Sequence, residues 1–472
     1  MNAAIADIRL TGGWLPLIVD LAAVALTILL IGLLTLPGGR GGVVSVRRRV
    51  RRTAFAAVGS LLGAVVGLLL CWLLSDQLNL FDVSLTPISR AWVTGAFAVV
   101  GGAAVALVAA RARRDDARRG RGVHGAALRR GVALAAGVMA LCAGTLGVNA
   151  DFGQYTTIGS LTGASVAPHF PTQVLAEQRT GAPGAAASAA TSARSLWRNA
   201  VAVGMPAHGL VGSVTIPATV SHFAAREAYV YLPPAALVPN PVPLPVIIML
   251  SGQPGSPSNV ILSGQIASVF DTFASAHDGL APIVVVPDQL GAPARNPMCV
   301  DGSLGASASY LTVDVPAWIR THLTVESSPQ AWGIGGFSQG GTCAIQLGST
   351  HPELFSAIID ISGQLAPKNG GLTQTIALGF GGDAAAYRAA LPQTVLARSA
   401  PYRNMVAVFG VGQLDSRYGP VAAQMRTAAL GAGIRSTLAT SPGTGHDWHT
   451  VKWVLENALQ PVYAQLGLVR AS

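Results

Sequence analysis

Charge is scarce in this chain. Asp, Glu, Lys and Arg make up 11% of 472 residues, while 51% are apolar. A composition so poor in charge excludes a disordered chain and points to a membrane component. There are only four cysteines, and their spacing fits no zinc or redox motif. There is no phosphate loop, no metal-ligand cluster and no nucleic-acid motif. No cofactor is therefore expected, and no nucleic-acid partner.

The length calls for two or three structural units, and the charge shows where they divide. Residues 1–150 hold 16 Lys+Arg against six Asp+Glu, whereas residues 151–472 hold 15 of each. The whole positive excess lies in the hydrophobic half. There, arginines between apolar runs orient helices rather than bind a polyanion.

Four apolar stretches, 14–36, 54–75, 91–110 and 131–149, are long enough to cross a bilayer. The first exceeds a usual signal-peptide core, lacks a basic leader and shows no small-residue cleavage site before Pro37. It is expected to be a retained helix. Arg40, Arg47, Arg48, Arg49, Arg51 and Arg52 follow the first stretch. The loop after the third carries Arg111, Arg113, Arg114, Arg118, Arg119, Arg121, Arg129 and Arg130. The loop between the second and third has only Arg90, at its end. Positive loops stay in the cytoplasm, so both termini and everything after residue 150 are expected outside. Gly59, Gly63 and Gly67 fall on one helix face. They either allow close helix packing or reflect a chain rich in small residues. Asp20 lies near the outer boundary of the first span and reads as an interfacial carboxylate. Cys71 and Cys142 lie in apolar spans and read as packing residues.

Residues 151–206 read as an extracytoplasmic linker. Its stretch 181–194, GAPGAAASAATSAR, has no large apolar residue and suits a flexible tether, with short ordered pieces around Phe152 and Trp197. About 50 such residues would span roughly 40 Å on average.

From 207 to 472 the pattern is that of an α/β domain. Strands are expected in 212–218, 227–233, 242–252, 281–288, 331–337, 355–363 and 404–412, and helices in 260–277, 314–323, 340–350 and 451–468. Their alternation predicts a mostly parallel sheet covered on both faces. Gly336-Phe337-Ser338-Gln339-Gly340 sits between an apolar strand and a helix, the setting of a nucleophile elbow. Ser338 is the expected nucleophile. The N–H of Gln339 would serve as one oxyanion donor. The N–H of Gln253, in the Gly/Pro turn after the strand 242–252, would serve as the second, because Pro254 has none.

A serine hydroxyl needs a base, and the base an orienting acid. His446 lies in Thr444-Gly445-His446-Asp447-Trp448, just before the last helix. Asp415 follows the strand ending at Gly412. The order Ser338, Asp415, His446 is that of the hydrolase elbow family of triads. Asp383, in a Gly-Gly-Asp loop, is the rival acid. His449 reads as a surface or capping residue, His351 as a helix-end residue, Asp447 as a cap and Asp360 as a buried strand acid. Cys299 and Cys343 would both be extracytoplasmic, where disulfides persist. They are expected to pair, against the alternative of two separate buried thiols.

The pieces REAYVYLPP, PVIIMLSGQPG, GGFSQGGTCAIQLGSTHPELFSAIIDISGQ and TGHDWHTVKW resemble one esterase family. It contains esterase D-like enzymes, S-formylglutathione hydrolases and actinobacterial mycolyltransferases. The resemblance covers about 210–468. It implies an α/β-hydrolase fold without a large lid, and ester hydrolysis or acyl transfer. Where the family has His-Gly or Asp-Gly, this chain has Ser251-Gly252. Four helices joined to such a domain also resemble, in architecture alone, extracytoplasmic lipid esterases, including those acting on aminoacylated lipids. The expectation is a multi-pass cell-membrane protein whose outer serine esterase acts on carboxylic esters of membrane or envelope lipids. One alternative is an acyl or mycolyl transferase using a hydroxyl acceptor. The other is a non-catalytic receptor or scaffold.

Overall fold

The computed structural model describes residues 3–35, 43–79, 82–109, 123–162, 167–180, 193–197 and 204–470. The chain divides into two compact units, Met1–Thr162 and Gly163–Ser472.

The first unit is helical. Helices α1 (Trp14–Thr35), α2 (Val43–Cys71, continued by a π turn Trp72–Gln77), α3 (Pro87–Ala109) and α4 (Val123–Phe152) carry its four candidate membrane spans. Packing runs α2 on α3, α3 on α4 and α4 on α1. The glycine stripe is used for close packing. A Cβ on Gly63 would stand 2.1 Å from the Phe97 carbonyl oxygen, and one on Gly101 2.1 Å from that of Gly59. Only residues without a side chain allow α2 and α3 to approach this closely.

Polar contacts collect at one end of this unit. Asp151 at the end of α4 accepts hydrogen bonds from the Thr86 and Ser89 hydroxyls at the start of α3. Arg90 pairs with Asp76 at 2.7 Å. Arg9 bridges to Thr157. Arg47, Arg51 and Arg52 begin α2 and Arg129 and Arg130 lie early in α4, toward the other end. Most of the second arginine loop, including Arg111, Arg113, Arg114, Arg118, Arg119 and Arg121, lies outside the described residues, as does Arg40.

The second unit is built on eight strands: β1 (Leu210–Val214), β2 (Ala228–Leu232), β3 (Val246–Leu250), β4 (Ile283–Val286), β5 (Trp332–Phe337), β6 (Ala357–Ile361), β7 (Val406–Gly412) and β8 (Arg435–Ser441). Their order is β1-β2-β4-β3-β5-β6-β7-β8, with β2 antiparallel to both neighbours and the rest parallel. This is an α/β-hydrolase fold. Strands β2 through β7 are buried along their whole length, which is why they read as continuous apolar runs.

Two expected helices are divided. The segment 260–277 is broken at Gln265, whose φ is 52°, and the C-terminal helix ends at Asn457 and resumes at Gln460, just before Pro461. Strand β8 has no counterpart among the expected elements.

The segment 151–206 carries ordered pieces beyond those around Phe152 and Trp197. Residues through Thr162 belong to the helical unit. Phe170 packs on Gly212 and its N–H donates to the Ser213 carbonyl. Gln178 is buried, giving a hydrogen bond to Ala236 and receiving one from Thr324. The indole of Trp197, also buried, donates to Asp278. Single large or amide side chains thus anchor pieces of a small-residue stretch. Residues 181–192 lie outside the described residues.

Candidate active site

Strand β5 enters a sharp turn because Ser338 takes φ 56°, ψ −116°, and helix α5 (Gln339–Thr350) begins at the next residue. The Ser338 N–H donates to the Ile361 carbonyl of β6 at 2.8 Å. Two flanking glycines are obligatory. A Cβ on Gly336 would meet the Gly340 backbone at 2.4 Å, and one on Gly340 the Leu250 carbonyl at 2.5 Å. The hydroxyl therefore stands at the carboxyl end of the parallel strands, at the positive end of a 12-residue helix.

The loop after β3 passes beside it. Leu250 is in register with Gly336. A Cβ on Gly252 would lie 3.5 Å from the Ser338 Cβ, so Ser251-Gly252-Gln253 borders the elbow. The Gln253 side chain donates to the Ala294 carbonyl.

On the other side, β7 ends in the loop that holds Asp415. The Nδ1 of His446 lies 2.9 Å from Asp415 Oδ2, and both side chains are almost wholly buried. A carboxylate can only accept, so Nδ1 carries the proton and Nε2 is left as the basic nitrogen. The Tyr418 N–H donates to the other Asp415 oxygen. The imidazole packs against the tilted rings of Tyr418 (4.5 Å between centroids) and of Phe337 (4.9 Å), the residue just before Ser338. The histidine loop is pinned in turn. Asp447 caps helix α6 (Trp448–Asn457) through the Thr450 N–H and accepts from Gly445, and the Leu414 N–H donates to Thr444. Trp448 packs on Phe337.

The competing residues fall elsewhere. Asp383 is an exposed cap of helix Ala384–Ala389, accepting the N–H groups of Ala385 and Ala386. His351 closes α5 and pairs with Glu353. His449 is exposed. Asp360 is buried in β6 with one donor, the Gly363 N–H, and burial pushes its carboxyl up to about 7. Cys299 and Cys343 are joined, with Cα atoms 5.6 Å apart, tying the segment after β4 to α5. Among the described residues no cluster of His, Cys, Asp and Glu could hold a metal ion.

Several residues around the elbow have no distinguishing motif in the sequence. Asp288, fully buried at the end of β4, takes Arg226 in a two-point ion pair and also accepts the N–H groups of Arg226, Leu290 and Gly291. Arg226 reaches on to the Gly255 carbonyl. Gln289 bonds to both Ser251 and Gln339. Asp288 and Gln289 carry one signal, position: they follow an apolar run at the carboxyl edge of the sheet, where α/β sites gather.

These features define an α/β-hydrolase with a serine elbow. Residues 224–452 match the model of the family described as "Putative esterase". An uncharacterized protein of Corynebacterium glutamicum is 34% identical over 253 residues, 52% of this chain and 59% of that protein. The chain thus matches somewhat over half the length of this curated relative. Among solved structures, an S-formylglutathione hydrolase from Agrobacterium tumefaciens is similar at 23% identity, covering 55% of this chain and 97% of that one, with a TM-score of 0.46. A ferulic acid esterase is similar at 17% identity, over 55% of this chain and 98% of its own, with a TM-score of 0.47.

Proposed function

We propose that this chain is a membrane-anchored serine esterase, with Ser338 as nucleophile, His446 as base and Asp415 as its orienting acid. The observation that carries the reading is the buried His446–Asp415 pair packed against the residue preceding a strained elbow serine. His446 Nε2 takes the Ser338 proton as Oγ attacks the ester carbonyl. The N–H groups of Gln339 and Gln253 receive the oxyanion. Collapse expels the alcohol, protonated by His446, and leaves an acyl-serine. Water, deprotonated by His446, releases the acid.

Four helices long and apolar enough to cross a bilayer support an anchor for this chemistry at a membrane, and the arginine pattern supports an extracytoplasmic catalytic unit. The substrate class that suits such an anchor is a carboxylic ester of a membrane or envelope lipid, aminoacylated lipids included. Wild-type protein should react with a fluorophosphonate probe and the Ser338→Ala variant should not. An unlabelled wild type would leave the scaffold reading in its place. Product analysis with and without an added alcohol separates hydrolysis from acyl transfer. Lipidomics of cells carrying Ser338→Ala identifies the ester that accumulates.

A further inference from the structure

The two proposed oxyanion donors belong to different loops, and their separation must be fixed for both to reach one oxygen. Gln289 lies between those loops. It is fully buried. Its Nε2 donates to the Ser251 carbonyl at 2.6 Å and to Gln339 Oε1 at 3.1 Å, with Ser251 Oγ at 3.3 Å. One side-chain amide therefore grips the loop that carries Gln253 and the residue that supplies the elbow donor. Its orientation follows from the Ser251 carbonyl, which can only accept, so turning the amide over would set oxygen against oxygen there. The Oε1 atom accepts nothing among the described residues, so the donor end alone makes the connection.

The rest of this segment braces the same two loops. Asp288 holds Arg226, which donates to Gly255. The Gly255 N–H donates to Pro293, and Gln253 donates to Ala294. Asn296 Oδ1 accepts from Gln339 Nε2 at 3.2 Å. The Gln289 carbonyl is itself held by the Ser307 hydroxyl at 2.9 Å. The segment after β4 is thus a backing strip for the oxyanion site, and Gln289 is its one side chain touching both arms.

We propose that Gln289 is a positioning residue that sets the distance between the two oxyanion donors, acting through Ser251 and through the side chain of Gln339. This rests on the serine-esterase reading. Loosening the clamp moves donors that matter in the transition state more than in the bound ester.

Full-length Gln289→Met, close in size but without the donor, should lower kcat on a soluble short-chain ester by about ten- to a hundredfold. KM should stay within about twofold, and a boronic acid that forms a tetrahedral adduct should bind weaker in proportion to the loss in kcat. Gln289→Glu, which keeps the size but turns the donor into an acceptor, should be equally impaired. Gln339→Met removes the other end of the clamp while keeping its N–H, and tests the idea even if position 289 tolerates no change in folding. The Gln289→Met/Gln339→Met double variant should be no slower than the worse single variant, since both break one connection. Wild-type kcat in Gln289→Glu or Gln339→Met, a loss confined to KM, or fully additive losses would overturn the clamp. A wild type that neither reacts with a fluorophosphonate nor cleaves esters would instead sink the esterase reading beneath it.

Discussion

In the hydrolase unit the interior is made of large side chains. Trp332, Tyr310, Phe270, Phe355 and Phe409 are fully buried with the aliphatic runs of β3 and β4. In the helical unit small side chains dominate the interior. Ala103, Ala106, Ala133 and Ala136 are buried beside Leu30, Leu34 and Val132, while Leu17, Leu21, Ile28, Leu61, Leu62 and Leu134 face outward. The first distribution suits water outside, where burying each large apolar side chain contributes about 1.5–3 kcal/mol. The second has no such driving force to exploit. Its helices associate through close backbone approach at Gly59, Gly63 and Gly101, the packing expected where the surrounding medium is itself apolar. One chain therefore uses two opposite packing rules, divided at Thr162.

The largest expected effect tests whether chemistry belongs wholly to the second unit. Ser338→Ala or His446→Ala should reduce ester turnover by roughly four orders of magnitude or more, because such groups act as a unit. Asp415→Asn should be nearly as severe. Asp383→Asn, which touches only an exposed helix cap, should leave turnover unchanged in the same assay. Loss of turnover on changing Asp383 would reassign the acid.

An all-or-none contrast tests the orientation of the helical unit. A cysteine introduced near Arg48 or Arg119 should resist an impermeant thiol reagent in intact cells, and one at Ser188 should react. The reverse pattern would put the esterase on the cytoplasmic side.

Asp360 is a buried acid without a cationic partner in the hydrolase core among the described residues, and it gives that core a pH dependence. Burial raises its carboxyl from an ordinary value of 3.8 to about 7 in the folded state. The folded chain then holds a proton that the unfolded chain releases between those values. Stability from this group is full below about pH 4 and falls as pH rises to 7. The span corresponds to a few kcal/mol. Asp360→Asn should flatten this part of the profile when unfolding of the catalytic unit is followed from pH 4 to 8. An unchanged profile would mean that another group governs it.

In the helical unit the matching probe is Gly63→Leu. The new side chain would start 2.1 Å from the Phe97 carbonyl, so α2 and α3 must separate. The detergent-solubilised protein should lose several degrees of thermal stability, while turnover of a soluble ester stays the same. A parallel loss of turnover would show that the two units do not behave independently.

What was legible follows from the same physics. Membrane spans and buried parallel strands are continuous runs, and the elbow needs a local pattern of glycines around Ser338. Asp415 and His446 stand far apart in sequence, yet each lies where a strand or a helix must begin or end. Strand β8 escaped because an edge strand need not be apolar; RSTLATS is largely exposed. The kink at Gln265 depends on one backbone angle. Gln289 and the Arg226–Asp288 pair escaped for a different reason. Their meaning lies in what they touch across the sheet, and no local pattern encodes it.

The smallest expected effect concerns what the first unit does for the second. The passage between them is short in sequence: the helical unit ends at Thr162, and by Pro168 the backbone already hydrogen-bonds to Ser213 of the catalytic unit. A short covalent connection raises the effective concentration of an active site at the surface to which its anchor is confined. It adds nothing for a substrate free in solution. The balanced charge of residues 151–472 likewise gives no long-range steering toward an anionic solute. Full-length protein should therefore exceed residues 163–472 alone by several-fold on an ester carried in vesicles, when the full-length chain is reconstituted in the same vesicles. On a soluble short-chain ester the two should agree within about twofold. Equal rates on the vesicle ester, together with no lipid accumulating in cells bearing Ser338→Ala, would make the helices a means of retention only and would redirect the search toward small extracellular esters.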